Sequence, residues 1–398
     1  MTPAAPSPHA GPGAASPPVP RYGQASLADL VPSLLSAVGA PGFANPLQLE
    51  PLRAVCLLLV DGLGFELLLG GAEIAPFLAT TAARSPLTAG FPSTTATSLA
   101  SIGTGRPPGE HGLVGYTIWL PGEKGPLNTL RWAPYGVGEQ TGDAMARLVP
   151  EQVQPDATAF ERAAAHGVDV VLVGPALHAH SGMTRAVLRG GRYRPADTLD
   201  DTVTAALAAL AEPGPRLVYA YHPDLDLIGH VHGVASDQWR AQLTAVDAAA
   251  ARLAEGVPAG CGLVVTGDHG MIDVPPEARI DVDDVPELRA GVAALAGEPR
   301  ARHVHAIEGA AGEVLAAWRE RLGDTMWIVS RAQAIDEGWF GPFVADRVRQ
   351  RIGDVVAAAR GSVAVVQRSV DPAQATLIGH HGSLTSAEEL VPFVLVTR

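Results

Sequence analysis

The sequence predicts an α/β fold, with a mostly parallel central sheet flanked by helices and a small α/β subdomain inserted late in the chain. Three observations predict it. Short continuous apolar runs recur, each of a length suited to a strand buried on both faces. Ala-rich segments of helical periodicity separate them, the pattern of crossovers between parallel strands. Residues of about 282–358 interrupt this alternation, after which the chain returns to it. With 398 residues, 47% hydrophobic and 17% charged, there is ample material for a packed core.

Taken in order, residues 1–23 are rich in Pro, Ala and Gly and read as a disordered tail. Ser26–Val38 carries apolar residues at helical spacing behind a capping serine. Ala54–Val60 (AVCLLLV) is the first buried strand, and Val168–Val173, Leu217–Tyr221 and Gly262–Thr266 are the next ones. Thr202–Leu210 and Trp239–Leu253 are helical. Val391–Val396 closes the chain, and Pro392 places that strand at an edge or makes it start late. Within the insertion, Arg302–Ile307 and Met326–Ser330 read as strands, Gly312–Leu322 and Phe343–Ala359 as helices. The expected organisation is a catalytic domain of residues 24–281 plus 359–398 and an inserted lid-like unit of 282–358.

Charge and composition exclude several classes of function. Lys+Arg is 28 against 41 Asp+Glu, a formal charge of -13, so neither a nucleic-acid polymer nor an anionic membrane surface is an expected partner. An anionic substrate then needs local positive charge: a metal, a helix N-terminus or an isolated Arg or Lys. Cys56 and Cys261 adjoin apolar runs and read as core residues, not as a disulfide or thiolate site. No apolar run reaches the ~18 residues of a transmembrane helix, and no secretory signal is visible, which makes the cytoplasm the default location.

Three apolar runs end in chemistry-bearing residues: Asp61-Gly62, His222-Pro223-Asp224-Leu225-Asp226 leading to His230, and Gly267-Asp268-His269-Gly270. Ligands bind beyond the carboxyl ends of parallel strands, so these distant residues should meet on one rim. Asp226 and His230 stand four apart and share one face if a helix starts there. Oxygen and nitrogen ligands of this kind suit Zn²⁺, with Mn²⁺ as the alternative. One of the pair His380-His381 could complete such a site. Phe91–Gly103 (FPSTTATSLASIG) places a hydroxyl cluster at a helix N-terminus, where orphan N–H groups favour an anion. A hydroxyl there, beside a metal, is a candidate nucleophile.

The ordered set VDGLG, FPSTTATS, DLIGH, TGDHG and GHHG resembles the alkaline phosphatase superfamily, and within it the type I phosphodiesterase/nucleotide pyrophosphatase family. The resemblance implies two divalent ions: one held by Asp61, Thr95, Asp268 and His269, the other by Asp226, His230 and His381. It makes Thr95 the nucleophile, with Thr94 and Ser93 as alternatives, and chooses His381 over His380 because the family ligand directly precedes the glycine. Three residues beyond the nucleophile the family usually carries an Asn; Ser98 stands here and is expected to bind a substrate oxygen. The implied activity is hydrolysis of phosphodiester or pyrophosphate bonds in nucleotides or related small molecules, through a phospho-threonine intermediate.

The alternatives within the superfamily are a phosphomonoesterase, a phosphonate hydrolase or a metal-dependent mutase; the absence of Lys and Arg from Phe91 to Gly105 favours the diester. A sulfatase would need a C/S-x-P-x-R pattern, which is missing. A nucleotide-binding oxidoreductase is the remote alternative, since Gly62-x-Gly64 follows a strand but Leu67 replaces the third glycine. Tyr116, Trp119, Trp132 and Tyr135 are candidates for stacking on a base, although loop packing is the simpler explanation of them. His232 is a candidate support for the ligands, His178/His180 and His303/His305 for further metal, and His111 for structure.

Overall fold

The computed structural model describes residues 16–82, 85–136 and 144–398. Six strands form the central sheet: β1 (Ala54–Val60), β2 (Asp169–Gly174), β3 (Arg192–Pro195), β4 (Arg216–His222), β5 (Cys261–Gly267) and β10 (Val394–Thr397), in the order β10-β5-β1-β4-β2-β3. All pairings are parallel except that of β10 with β5. Pro392, which has no N–H for a ladder, precedes β10, so the last strand both starts late and lies at the edge.

Every residue of β1 is buried. Val55, Leu57 and Leu59 point into one apolar layer, with α1 (Leu27–Ala37) and α2 (Thr95–Thr104). Ala54, Cys56, Leu58 and Val60 point into the other, with α3 (Leu199–Ala211) and α5 (Asp237–Gly256). That two-residue alternation between two covered faces explains a strand with no polar position. Both cysteines are free and buried, as core residues. Among the described residues no helix is long and apolar enough to cross a membrane.

The late region contains a second sheet, of β6 (Val292–Glu298), β7 (Ala301–Ala306), β8 (Met326–Ser330) and β9 (Val355–Ala359), antiparallel throughout and ordered β6-β7-β9-β8. Helix α6 (Ala311–Leu322) covers one face through Val314, Trp318 and Leu322. The other face contributes Val356 and Ala358 to the same layer as Phe91 and Leu99. The chain enters and leaves this region on paired segments, Arg279–Asp281 beside Ala364–Val366.

Two expectations need correction. The predicted helix over Phe343–Ala359 is instead a short helix, Asp346–Arg349, followed by strand β9. The Ala-rich stretch has helical propensity, but flanking strands on both sides and full burial override it. The predicted tail also ends too late. Residues 1–15 lie outside the described residues, but Tyr22 is bound in: Phe91 N donates to its hydroxyl at 3.0 Å, which donates to Trp339 O at 3.0 Å.

Candidate metal centre and active site

Registry within the sheet assembles the site. Val60 is level with His222 and with Gly267, so β1, β4 and β5 end together. Asp61 therefore follows β1 on the same edge where Asp268 and His269 follow β5, and where α4 (Asp224–His232) begins just beyond β4. Gly62 makes the approach of α4 feasible: its φ is +74°, and a Cβ there would sit 2.9 Å from the Asp226 Cα. The GHHG segment arrives by a short antiparallel pairing, Ile272 opposite His380. It is tied to the nucleophile turn, with Ser93 N donating to Gly382 O at 3.0 Å.

The structure brings together all seven residues of the expected metal set. Ligand-competent atoms of Asp226, His230 and His381 lie within 4.8 Å of one another, as do those of Asp61, Asp226 and His269. Asp226 thus belongs to both groups, a shared position that sequence spacing did not show. Asp268 reaches His269 Nε2 at 3.5 Å through Oδ2, while its Oδ1 accepts from Gly62 N at 2.9 Å and His269 N at 3.0 Å.

These residues fit divalent cations on three counts. The Nδ1 atoms of His230, His269 and His381 face the carbonyls of Gly379, Gly270 and Ser93 at 2.7, 2.9 and 3.0 Å. A carbonyl can only accept, so each Nδ1 carries a proton and Nε2 is the ring atom left to meet an ion. Asp226 Oδ1 and Asp268 Oδ2 are buried without a hydrogen-bond partner. Finally, the protein alone balances the charges poorly. Burial, then the carboxylates of Asp268 and Asp226, push Asp61 well above the usual carboxylate range. Burial raises Asp268 too. Burial opposes ionisation of Asp226 as well, but His230 holds it below its ordinary value. Clustered acids of this sort call for cations.

Thr95 is the first residue of α2, behind Thr94 in extended conformation. Its Oγ1 lies 3.2 Å from His269 Nε2 and 3.4 Å from Asp61 Oδ1. Of the alternatives, Ser93 points elsewhere, its hydroxyl donating to Ser383 O at 2.7 Å, whereas Thr94 borders the groove beside Thr95. Ser98, expected to bind substrate, is fully buried and donates to Asp268 O at 2.7 Å. It ties α2 to the Asp268 loop rather than facing a ligand, because one turn into the helix its side chain is already beneath the surface.

Two hollows meet at Thr95, Leu130, Asp226 and Leu227. One is a groove of about 680 Å³ in which Tyr116, Asn128, Arg131, Tyr135, Glu298 and Gln374 lie among apolar side chains. The other is a cavity of about 290 Å³ behind Tyr219 and Tyr221. Tyr116 and Tyr135 reach the groove edge to face, with centroids 6.1 Å apart. Trp132 is buried and bonded to Leu148 O, and Trp119 packs on His305. His232 is exposed, and His111 accepts from Leu113 N within the core. Sequence reasoning missed Tyr221, whose hydroxyl donates to Asp61 Oδ2, and Arg131 and Glu298 in the groove. The Tyr221 position, just before the acidic turn, was the only signal available; the other two depend on distant packing.

The sequence profile described as Type I phosphodiesterase / nucleotide pyrophosphatase matches residues 55–384. No curated protein matches the chain. Among solved structures, human ectonucleotide pyrophosphatase/phosphodiesterase 5 is similar, with a TM-score of 0.65 and 16% identity over 86% of this chain and 87% of that one. The murine protein gives 0.63 and 16%, covering 86% and 88%. An inactive variant of the murine protein in complex with AMP gives 0.63 and 15%, covering 85% and 87%. At such identities these structures speak for the fold, and the profile, matched over most of the chain, speaks for the family. The chain belongs to the type I phosphodiesterase/nucleotide pyrophosphatase family of the alkaline phosphatase superfamily.

Proposed function

We propose that the protein hydrolyses phosphodiester or pyrophosphate bonds of nucleotides or related small molecules through a covalent phospho-threonine at Thr95. One observation carries this: the Thr95 hydroxyl lies 3.2 Å from His269 Nε2, beside two ligand groups that share Asp226. Asp61, Thr95, Asp268 and His269 would hold one divalent ion, and Asp226, His230 and His381 the other. The mixed imidazole and carboxylate donors favour Zn²⁺, with Mn²⁺ the competitor. When bound, such a pair supplies the charge that favours an ionised hydroxyl and a departing oxyanion.

The chain's own residues do the rest. The helix N-terminus under Thr95 offers orphan N–H groups to a phosphoryl oxygen. Tyr221 fixes the Asp61 carboxylate, and the backbone carbonyls fix the three imidazoles. The Thr95 oxygen attacks phosphorus, its proton leaving to solvent, and the bond to the leaving oxygen breaks. Water then attacks the phospho-threonine, and the Thr95 oxygen regains a proton. Residues 282–358 wall the substrate groove in this scheme, with Glu298 and Pro299 as their contribution to its lining.

The experiment is a parallel assay of metal-loaded protein on bis-p-nitrophenyl phosphate, dinucleotides, nucleoside triphosphates and p-nitrophenyl phosphate. Preferred turnover of the diester or anhydride, abolished by EDTA and restored by Zn²⁺ or Mn²⁺, is expected. Preference for the monoester, or full activity in EDTA, contradicts the proposal.

A further inference from the structure

A third hollow opens off the groove, and Thr95 does not border it. Tyr135, Gly136 and Val370 line both spaces, and the hollow encloses about 450 Å³, within the range of small-ligand sites. Two distant parts of the chain build it. One is a small antiparallel sheet of Thr117–Ile118, Leu127–Asn128 and Ala133–Pro134, with Trp119, Lys124 and Tyr135 just beyond or between its strands. The other is the late region, which supplies Leu288, Arg289 and Leu295. Thr117 joins the two, its hydroxyl donating to Gly297 O at 2.8 Å.

The charged lining of this cavity, among the described residues, is Lys124 and Arg289, both exposed. Lys124 is the sole lysine of a chain with a formal charge of -13, and it makes no ion pair or hydrogen bond with a described residue. Arg289 makes none either. Its charge reaches Asp283, but that carboxylate is engaged by Ser369, whose N and Oγ donate to it at 2.7 and 2.9 Å. Trp119 is half-buried and packs on His305, with ring centroids 5.6 Å apart. An uncharged ligand would gain nothing from the two cations. A small inorganic anion would leave the indole and leucine walls in contact with water. A planar ring that carries a negative charge uses both kinds of wall.

We infer that this cavity is a distal subsite for one arm of the substrate, an arm with a planar ring and its own negative charge, held by Trp119, Lys124 and Arg289. The groove borders Thr95 and also the cavity, so an arm of a phosphorus atom at Thr95 that runs along the groove arrives there. Its service to the substrate rests on the hydrolase function proposed above, whereas its preference for a ring-bearing anion can be measured without turnover. The probe is 2-naphthalenesulfonate, which is unreactive, titrated calorimetrically into the metal-loaded full chain beside uncharged 2-naphthol. The sulfonate is expected to bind more tightly than the naphthol, and its affinity to fall ~10-fold in Lys124→Glu/Arg289→Glu. In Trp119→Leu it should fall at least ~5-fold, through loss of stacking. Thermal melts identify which variants are folded, and the charge reversals, at exposed positions, keep the test open if Trp119→Leu is not. In kinetics, the double reversal should raise KM for diadenosine pyrophosphate ~10-fold and leave that for bis-p-nitrophenyl phosphate, whose arms are short and uncharged, within about twofold. The sulfonate should inhibit hydrolysis of the dinucleotide competitively.

Equal affinities of sulfonate and naphthol in the wild-type protein overturn the proposal. So does sulfonate binding that the charge reversals leave unchanged, which would put the anion elsewhere, at the metals for example. So does a KM that rises equally for both substrates, or sulfonate inhibition that is not competitive, which would make the cavity a separate effector site. Turnover of the two substrates by the same preparation tests the hydrolase function separately. Its absence, alongside sulfonate binding that still depends on Lys124 and Arg289, would sink that function and leave the cavity's ligand class standing.

Discussion

Three imidazoles at the site each give their Nδ1 proton to a main-chain carbonyl, and those carbonyls come from different loops. The tautomer is thus set by backbone geometry, before any ion binds, and Nε2 is left as the ligand atom in every case. Thr95 is the residue on which turnover depends in this account. Thr95→Ala is expected to lower kcat by ~10³-fold or more while leaving the circular dichroism spectrum unchanged. A kcat within tenfold of wild type would remove Thr95 as nucleophile. The acidic and histidine residues other than His381 were legible in the sequence because each follows a buried apolar run or stands four from its partner, whereas His381 rested on the family resemblance. Glu298 was not legible, since it reaches the groove only through the pairing of β6 with β7 and a gap at Gly382, where a Cβ would lie 2.6 Å from the Glu298 Cγ.

Among the elements, the central strands were legible for a simple reason. β1, β4 and β5 are continuous apolar runs, and such runs have few alternatives to a doubly covered sheet. β6 and β9 are Ala-rich, so their state is decided by the strands they pair with, β7 across a tight turn for β6, and β7 and β8 for β9. What joins the second sheet to the site is a buried ion pair. Arg300, in the turn between β6 and β7, donates twice to Glu388, at 2.7 Å each, and both side chains are inaccessible. Glu388 also accepts from Ser383 N at 3.0 Å, two residues from His381. Arg300→Leu should cost about 3–5 kcal/mol by leaving a buried carboxylate unpaired. The double variant Arg300→Leu/Glu388→Leu should recover part of it. Urea unfolding checks both expectations, and a single variant as stable as wild type would show that the pair does not anchor this loop.

Over the whole molecule, buried titrating groups set a pH window. Burial, more than neighbouring positive charge, holds His111, His303 and His380 down at about 3, and burial holds His305 at about 4. Below their ordinary value of 6.5 the unfolded chain takes up protons that the fold refuses, so stability falls as the pH drops. Burial raises Glu298 and Glu389 to about 8. From their ordinary 4.5 up to that value the fold keeps protons the unfolded chain has released, so stability falls as the pH rises. Four imidazoles outweigh two carboxyls in the overlap, and only the carboxyls act above 6.5. The melting temperature of the metal-loaded protein should therefore peak near pH 6.5, and Glu298→Gln should remove about half of the decline between pH 6.5 and 9. A melting temperature that rises steadily to pH 9 would contradict this. At the same scale, the meeting of β1, α4, β5 and the GHHG segment on one edge follows from strand order and registry. Sequence order alone suggested a common rim, but the sharing of Asp226 between two ligand groups needed three-dimensional distances.

Anomalous diffraction from crystals of the Zn²⁺-loaded protein tests the central claim most directly. Two peaks about 4 Å apart are predicted, one among Asp226, His230 and His381 and the other among Asp61, Asp268 and His269, beside the Thr95 hydroxyl. Density for a single ion, or for ions bound away from these side chains, would contradict the account.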